Sequence, residues 1–315
     1  MKAAIIYSYG SPEVLQVAEV ARPQPKADQL LVKVFASSIN PIEWKIRKGM
    51  LKLLTGNNFP IALGFDLSGE VIEVGARVSR FQPGDWVYAC MDQLTGGAYA
   101  QYAAVAEKVA AMKPANMTHE QAAAVPLAAM TALQALRDKG HLKPGQRVLI
   151  NGASGGVGTY AVQIAKLLGA TEVTGVCSGK NIDLVKSLGA DLTIDYNQQD
   201  FTQGTTQYDI VFDVVGNCSV SACRSVLQPR GIYVTTQPSP GNYLRSILSA
   251  LWPAQKFKVI LLQSKHEDLQ YLKAQIEAGN LRSVIDKTYP LAQIAEAHTY
   301  AEAGHTVGKT VMIIA

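Results

Sequence analysis

Cysteine is scarce in this chain. Its 315 residues hold four, Cys90, Cys177, Cys218 and Cys223, and no two are spaced as C-x-x-C. This excludes a thioredoxin-like motif and a four-cysteine zinc lobe, and reduced thiols in a cytosolic protein are the expectation. Cys218 and Cys223, five apart at the start of an expected helix, have a poor spacing for a disulfide or a zinc site. Dense Lys/Arg runs are also missing. With 29 basic and 25 acidic residues the net charge is only +4, which disfavours nucleic acid as the main partner and leaves room for a local phosphate pocket. No interleaved aromatic and basic pattern supports RNA binding. No apolar run approaches the ~20 residues of a membrane span, and the opening MKAAIIYSYG has too short an apolar patch for a signal peptide. A cytoplasmic location follows as the default. His119, His141, His266, His298 and His305 are scattered, so each is read as solvated or structural. What remains is 48% hydrophobic and 17% charged, a globular composition with length for two domains.

Short β-branched or aromatic runs at 3–7, 29–36, 69–74 and 86–89, separated by Gly and Pro clusters, make the first ~120 residues β-rich and barrel-like. Thr118 with Gln121 forms a capping box for an alanine-rich helix, and Pro126 separates or kinks its two parts. From ~140 to ~265 the texture alternates. Strands are expected at 148–150, 172–177, 192–195, 210–215, 232–236 and 258–262, and helices at 156–168, 182–188, 219–227 and 243–251. Near-continuous apolar strands joined by right-handed crossovers make a doubly wound parallel sheet. The tail changes pattern again, with helices at 266–278 and 291–303 and strands at 283–289 and 310–314. It is read as rejoining the first domain, so that the nucleotide domain is an insertion with a cleft between the lobes.

The sharpest local signal is RVLINGASGGVGTYAVQIAKLLG, residues 147–169. It runs buried strand, glycine turn, helix. Gly155 and Gly158 take the second and third glycine places of a dinucleotide fingerprint, and Ala153 the first. A side chain at Gly155 would hold the backbone off a pyrophosphate; one at Gly158 would push the helix off the sheet. The helix N-terminus offers free N–H groups to the phosphates. Ser154, Gly155, Gly156 and Val157 are the expected contacts. Strand 172–177 then ends in Cys177-Ser178-Gly179-Lys180-Asn181 without the acid that would accept from an NAD ribose; Asp183 lies further into the helix. Ser178, Lys180 and Asn181 suit a ribose 2′-phosphate instead, so NADPH is the expected cofactor.

Taken together, Gly64-Phe65-Asp66-Leu67-Ser68-Gly69, Val125-Pro126-Leu127-Ala128-Ala129-Met130-Thr131-Ala132, the glycine turn, Val211-Phe212-Asp213-Val214-Val215-Gly216 and Val307-Gly308-Lys309-Thr310-Val311 resemble the medium-chain dehydrogenase/reductase superfamily in its zinc-free quinone oxidoreductase branch. Residues 40–49, NPIEWKIRKG, are most similar to the group of alkenal/one reductases and the chloroplast-envelope quinone oxidoreductase homologue. The resemblance implies a Rossmann domain (residues 123–265) inserted into a β-rich GroES-like barrel domain (1–122 and 266–315). It implies further cofactor contacts at Lys45, Thr131, Tyr196, Val215, Gly216, Ile260, Leu262 and Lys309; the alternatives are that Lys309 only closes a turn and that Lys45 is a surface lysine. It also implies a homodimer. Zinc-dependent members carry Cys and Gly-His-Glu where Asn40 and Phe65-Asp66 stand here, so no catalytic zinc is expected.

A metal-free site needs a substrate that accepts hydride unaided, and quinones and α,β-unsaturated carbonyls do. Lys45, a cofactor hydroxyl or Tyr99 are the candidate proton donors, and Asn40 and Glu43 candidate pocket residues, Glu43 being equally open to solvation. Tyr243, Leu248, Leu251 and Trp252 are expected to line an apolar pocket or an oligomer contact. An enoyl-thioester reductase and a non-catalytic NADPH-binding sensor or structural protein are the alternatives.

Overall fold

The strand Gln29–Ser38 is mainly apolar and small over ten positions, long enough to serve three neighbours. In the computed structural model, which describes residues 1–250 and 254–314, it pairs antiparallel with Asp66–Val74 and Tyr102–Ala106, and its end pairs with the final strand, Lys309–Ile313. Val311 lies opposite Ser38. These strands join Ile285–Pro290, Trp86–Cys90 and Ala110–Met112 in a seven-stranded sheet. A smaller sheet orders Leu15–Glu19, Lys2–Ile6 and Ile61–Ala62. Leu30, Val32, Val34, Leu67, Val71 and Val87 are fully buried in the core of this unit.

The chain divides into two compact units. The first is Met1–Met130 with Gln263–Gly279 and Ser283–Ala315; the second is Thr131–Leu262 with Asn280–Arg282. The second unit carries six parallel strands in the order Leu192–Asp195, Glu172–Cys177, Arg147–Asn151, Tyr208–Asp213, Leu227–Thr235, Lys256–Val259. Leu149, Val176 and Val211 are buried on this sheet, as expected for strands covered on both faces. The order reverses beside Arg147–Asn151, the strand that feeds the glycine turn. The ligand-binding crevice of a doubly wound sheet lies at such a switch point, at the carboxyl ends of the strands.

Some local expectations hold in the fold and others change. Thr118 and Gln121 form the capping box, with Gln121 N donating to Thr118 Oγ1 at 3.3 Å. Pro126 then begins a new helix, Pro126–Gln134, where its missing N–H costs nothing. The expected helix over 219–227 shrinks to Val220–Cys223, because Val226 and Leu227 are drawn into the sheet core and Leu227 already begins a strand. Cys218 and Cys223 are joined by a disulfide, against the expectation of free thiols; the turn capped by Ser219 brings their Cα atoms to 7.0 Å. Cys90 and Cys177 are free and buried. The helix Pro240–Ala250 exposes Tyr243, Leu244, Ile247 and Leu248, while Leu251 and Trp252 lie outside the described residues.

Candidate active and cofactor site

The glycine turn has the backbone the fingerprint requires. Gly152 adopts φ +86°, in the left-handed region. A Cβ on Gly158 would stand 2.0 Å from Gly152 O, so only glycine lets the helix Gly156–Leu167 approach this closely. At Gly155 a Cβ would meet nothing nearer than Gly152 O at 3.5 Å. Its lack of a side chain leaves space above the turn, which suits a pyrophosphate. Ser154, Gly155, Gly156 and Val157 are half-buried along this edge.

The neighbouring strand end closes on the turn. Asn181 Nδ2 donates to Ser154 Oγ at 3.0 Å, joining two residues that sequence reasoning had assigned separately. Lys180 is exposed, Ser178 half-buried, and Tyr196 is 57% exposed after its own strand. A further acid stands nearby: Asp195 pairs in register with Cys177, and a Cβ on Gly179 would stand 2.5 Å from its Oδ2. It accepts from Asn197 N and Nδ2, both at 3.0 Å, which occupies it as a turn cap. Beyond the next strand, Val215 is 47% exposed and Gly216 takes φ +78°. Ile260 is buried, its N–H donating to Thr235 O at 3.0 Å; Leu262 is half-buried, and Thr131 is buried.

The first unit holds a second polar centre, which the sequence disclosed only in pieces. Asn40 caps the helix Pro41–Arg47 with Glu43 at its third position, a capping box formed wholly inside the protein. Glu43 Oε2 accepts from Asn40 N, and Oε1 accepts from Asn40 Nδ2 and from Phe65 N, both at 3.2 Å. Asp66 Oδ2 accepts from Ser38 Oγ at 2.8 Å and from Asn40 Nδ2 at 2.9 Å, and Oδ1 from Leu127 N at 2.8 Å. Lys309 completes the cluster. Its Nζ donates to Ile39 O at 3.0 Å and to Asn40 Oδ1, and stands 3.7 Å from Asp66 Oδ2. Asn40, Glu43, Asp66 and Lys309 are all buried.

Two carboxyls and one ammonium thus share a dry site. Burial pushes Glu43 up to about 8, opposed mainly by the Lys309 charge. Burial also raises Asp66 and lowers Lys309, and each is partly held to its charged form by the other. Burial favours the neutral form of all three groups, and the attraction between Asp66 and Lys309 opposes it for that pair. Cys90, opposite Asp66 on the next strand, is driven up by burial and stays a thiol. These donors do not fit a zinc ion: Asn40 and Phe65 supply neither thiolate nor imidazole, and an ammonium already occupies the cation position. Among the described residues no group of three His, Cys, Asp or Glu side chains is placed to hold a metal.

Two assigned residues need correction. Tyr99 is fully buried, with its hydroxyl 3.5 Å from Ser38 O and its ring against His298; it is a core residue, its backbone tied to Leu63 O and Ala4 N. Lys309, expected either to meet the cofactor or to close a turn, spends its ammonium on the internal cluster. Lys45 is half-exposed on the helix Pro41–Arg47.

A parallel six-stranded sheet with a glycine-rich strand-to-helix turn, inserted into a largely antiparallel GroES-like unit, defines a dehydrogenase/reductase architecture. The alcohol dehydrogenase GroES-like domain matches residues 26–115, and a zinc-binding dehydrogenase domain matches residues 188–312. The chain is 37% identical over 313 residues to a chloroplastic quinone-oxidoreductase homologue of Spinacia oleracea, covering 96% of this chain and 95% of that one. It is 34% identical to the chloroplastic NADPH-dependent alkenal/one oxidoreductase of Arabidopsis thaliana, over 99% of this chain and 79% of the relative. The quinone oxidoreductase of Coxiella burnetii superposes with a TM-score of 0.92 at 33% identity, over 100% of this chain and 99% of that one. The chain belongs to the medium-chain dehydrogenase/reductase superfamily, in its quinone oxidoreductase branch.

Proposed function

We propose that this chain is an NADPH-dependent, metal-independent reductase of quinones or α,β-unsaturated carbonyls. The observation that carries the reading is the Lys309 ammonium buried among Asp66, Asn40 and Ile39 O, which leaves a substrate carbonyl no metal to polarise it. Such a site suits acceptors that delocalise the incoming charge themselves. NADPH supplies the hydride. The turn from Ser154 to Val157 would hold its pyrophosphate, and Ser178, Lys180, Asn181 and Tyr196 the 2′-phosphate. Val215, Gly216, Thr131, Ile260 and Leu262 are proposed to orient the nicotinamide half. Tyr99 is enclosed, so Lys45, a cofactor hydroxyl or water would give the proton to the α-carbon of an enone. No described helix is long and apolar enough to cross a membrane. We place the protein in the cytoplasm as a homodimer, a state that sedimentation would test.

The test is a screen of NADPH oxidation with quinones, enals and enones, with NADH as the control cofactor. Turnover of one of these classes with NADPH preferred supports the reading. Turnover of enoyl thioesters alone would replace the substrate class. Tight NADPH binding without turnover of any acceptor would leave a sensor or structural protein.

A further inference from the structure

Asp213 ends the strand Tyr208–Asp213 and is fully buried. Its carboxylate collects four donors from three separate segments. Oδ1 accepts from Asn151 Nδ2 at 2.9 Å and from Gly216 N at 2.8 Å. Oδ2 accepts from Tyr233 Oη at 2.5 Å and, more weakly, from Cys218 N at 3.4 Å. Asn151 is the last residue of the strand before Gly152, and its amide also donates to Asn217 Oδ1 at 2.9 Å. Residues 214–218 are therefore bound at Gly216 and Cys218 to one buried carboxylate, and at Val214 and Asn217 to Asn151 at the base of the glycine turn.

Packing tightens the same loop. Val215 lies over Gly152, where a Cβ would meet Val215 Cγ2 at 2.7 Å. Gln237 lies over Gly216, where a Cβ would meet its Cγ at 2.0 Å. Gln237 Nε2 also donates to Val215 O at 3.2 Å. A loop at the carboxyl end of a sheet strand is where a ligand binds in this architecture, yet such loops are mobile unless tied down. Here a single carboxylate supplies much of the tie.

We propose that Asp213 is a positioning residue: it holds residues 214–218 in the shape that receives the nicotinamide half of the cofactor, without touching the cofactor itself. The proposal rests on reading this unit as a dinucleotide site. Hydrogen bonds to a charged carboxylate are stronger than neutral ones, so weakening the tie should loosen the nicotinamide half by roughly tenfold or more. The adenosine half, held by Ser178 and Lys180, should not respond.

The experiment compares wild type with Asp213→Asn, titrating NADPH and, separately, adenosine 2′,5′-bisphosphate, a fragment without nicotinamide. Asp213→Asn is expected to weaken NADPH about tenfold, to raise its KM while leaving the quinone KM in place, and to leave the fragment within about twofold of wild type. Equal NADPH affinity in variant and wild type overturns the proposal. So does parallel weakening of NADPH and fragment, which marks a general structural role. Should Asp213→Asn fail to fold, Tyr233→Phe removes one of the four donors and is expected to show the same split at about threefold; an unsplit response there also overturns it. A wild-type protein that binds neither molecule removes the cofactor reading instead.

Discussion

Replacing Lys309 by methionine keeps the chain length and deletes the charge. Lys309 is 3% exposed and Asp66 fully buried, with Nζ and Oδ2 3.7 Å apart. At an effective dielectric near 20 their attraction is about 4–5 kcal/mol. Removing one partner of a buried pair costs about 3–5 kcal/mol, because the other is left as an uncompensated charge. Ile39 O and Asn40 Oδ1 lose their donor as well. Asp66 limits the damage by taking up a proton, since its carboxyl is already raised by burial and loses the group that opposed this. The cost is therefore about 4 kcal/mol at pH 7 and shrinks as pH falls, because protonation of Asp66 becomes easier. Urea denaturation at pH 7 and pH 5 measures both figures. Asp66→Asn combined with Lys309→Met leaves no orphaned charge, and should recover at least ~2 kcal/mol relative to the sum of the single changes. A single variant within ~1 kcal/mol of wild type at pH 7, or strict additivity in the double variant, would refute the account.

Gly158→Ala places a Cβ 2.0 Å from Gly152 O, and a backbone atom cannot step aside. We expect a loss of about 1–3 kcal/mol in thermal denaturation and NADPH binding weakened by more than tenfold; a well-folded variant with unaltered affinity would show that the turn is not a cofactor cradle. Lys180→Ala should weaken NADPH by about tenfold while leaving NADH unchanged, and an equal change in both would remove the 2′-phosphate assignment. His298 is fully buried, with its titration pushed down to about 3, chiefly by burial and also by the Arg47 charge. The unfolded chain therefore takes up this proton first. The stability it protects is fully present above about pH 6.5 and falls by about 1.4 kcal/mol per unit toward about 3. Glu43, raised to about 8, acts in the opposite sense but cancels when wild type is compared with His298→Phe. Melting curves of the two from pH 7 to 4 should diverge with that slope; parallel curves would mean that His298 carries its proton in the fold.

Much of this protein is written in short-range patterns. The strand, glycine turn and helix over 147–169 could be read without tertiary contacts, because each demand is local: an apolar run, a positive φ at Gly152, no side chain at Gly158. The Thr118–Gln121 capping box and the absence of histidine and cysteine zinc ligands at 40 and 65 were legible for the same reason. The helix over 219–227 misled because its apolar residues match helical spacing, while burial of Val226 and Leu227 decided for the sheet. Tyr99 looked like an available hydroxyl, since nothing nearby records which way its segment faces. The internal charge cluster shows the boundary best. Asn40 and Glu43 are three residues apart, and their capping box is a local motif. Asp66 joins them only through the register that sets Ser38 opposite Asp66, and Lys309 only because the last strand returns to pair Val311 with Ser38. Local chemistry settled which residues can form a turn, a cap or a strand. Long-range pairing and burial settled that a lysine near the end of the chain would supply a cation to the buried Asp66 cluster.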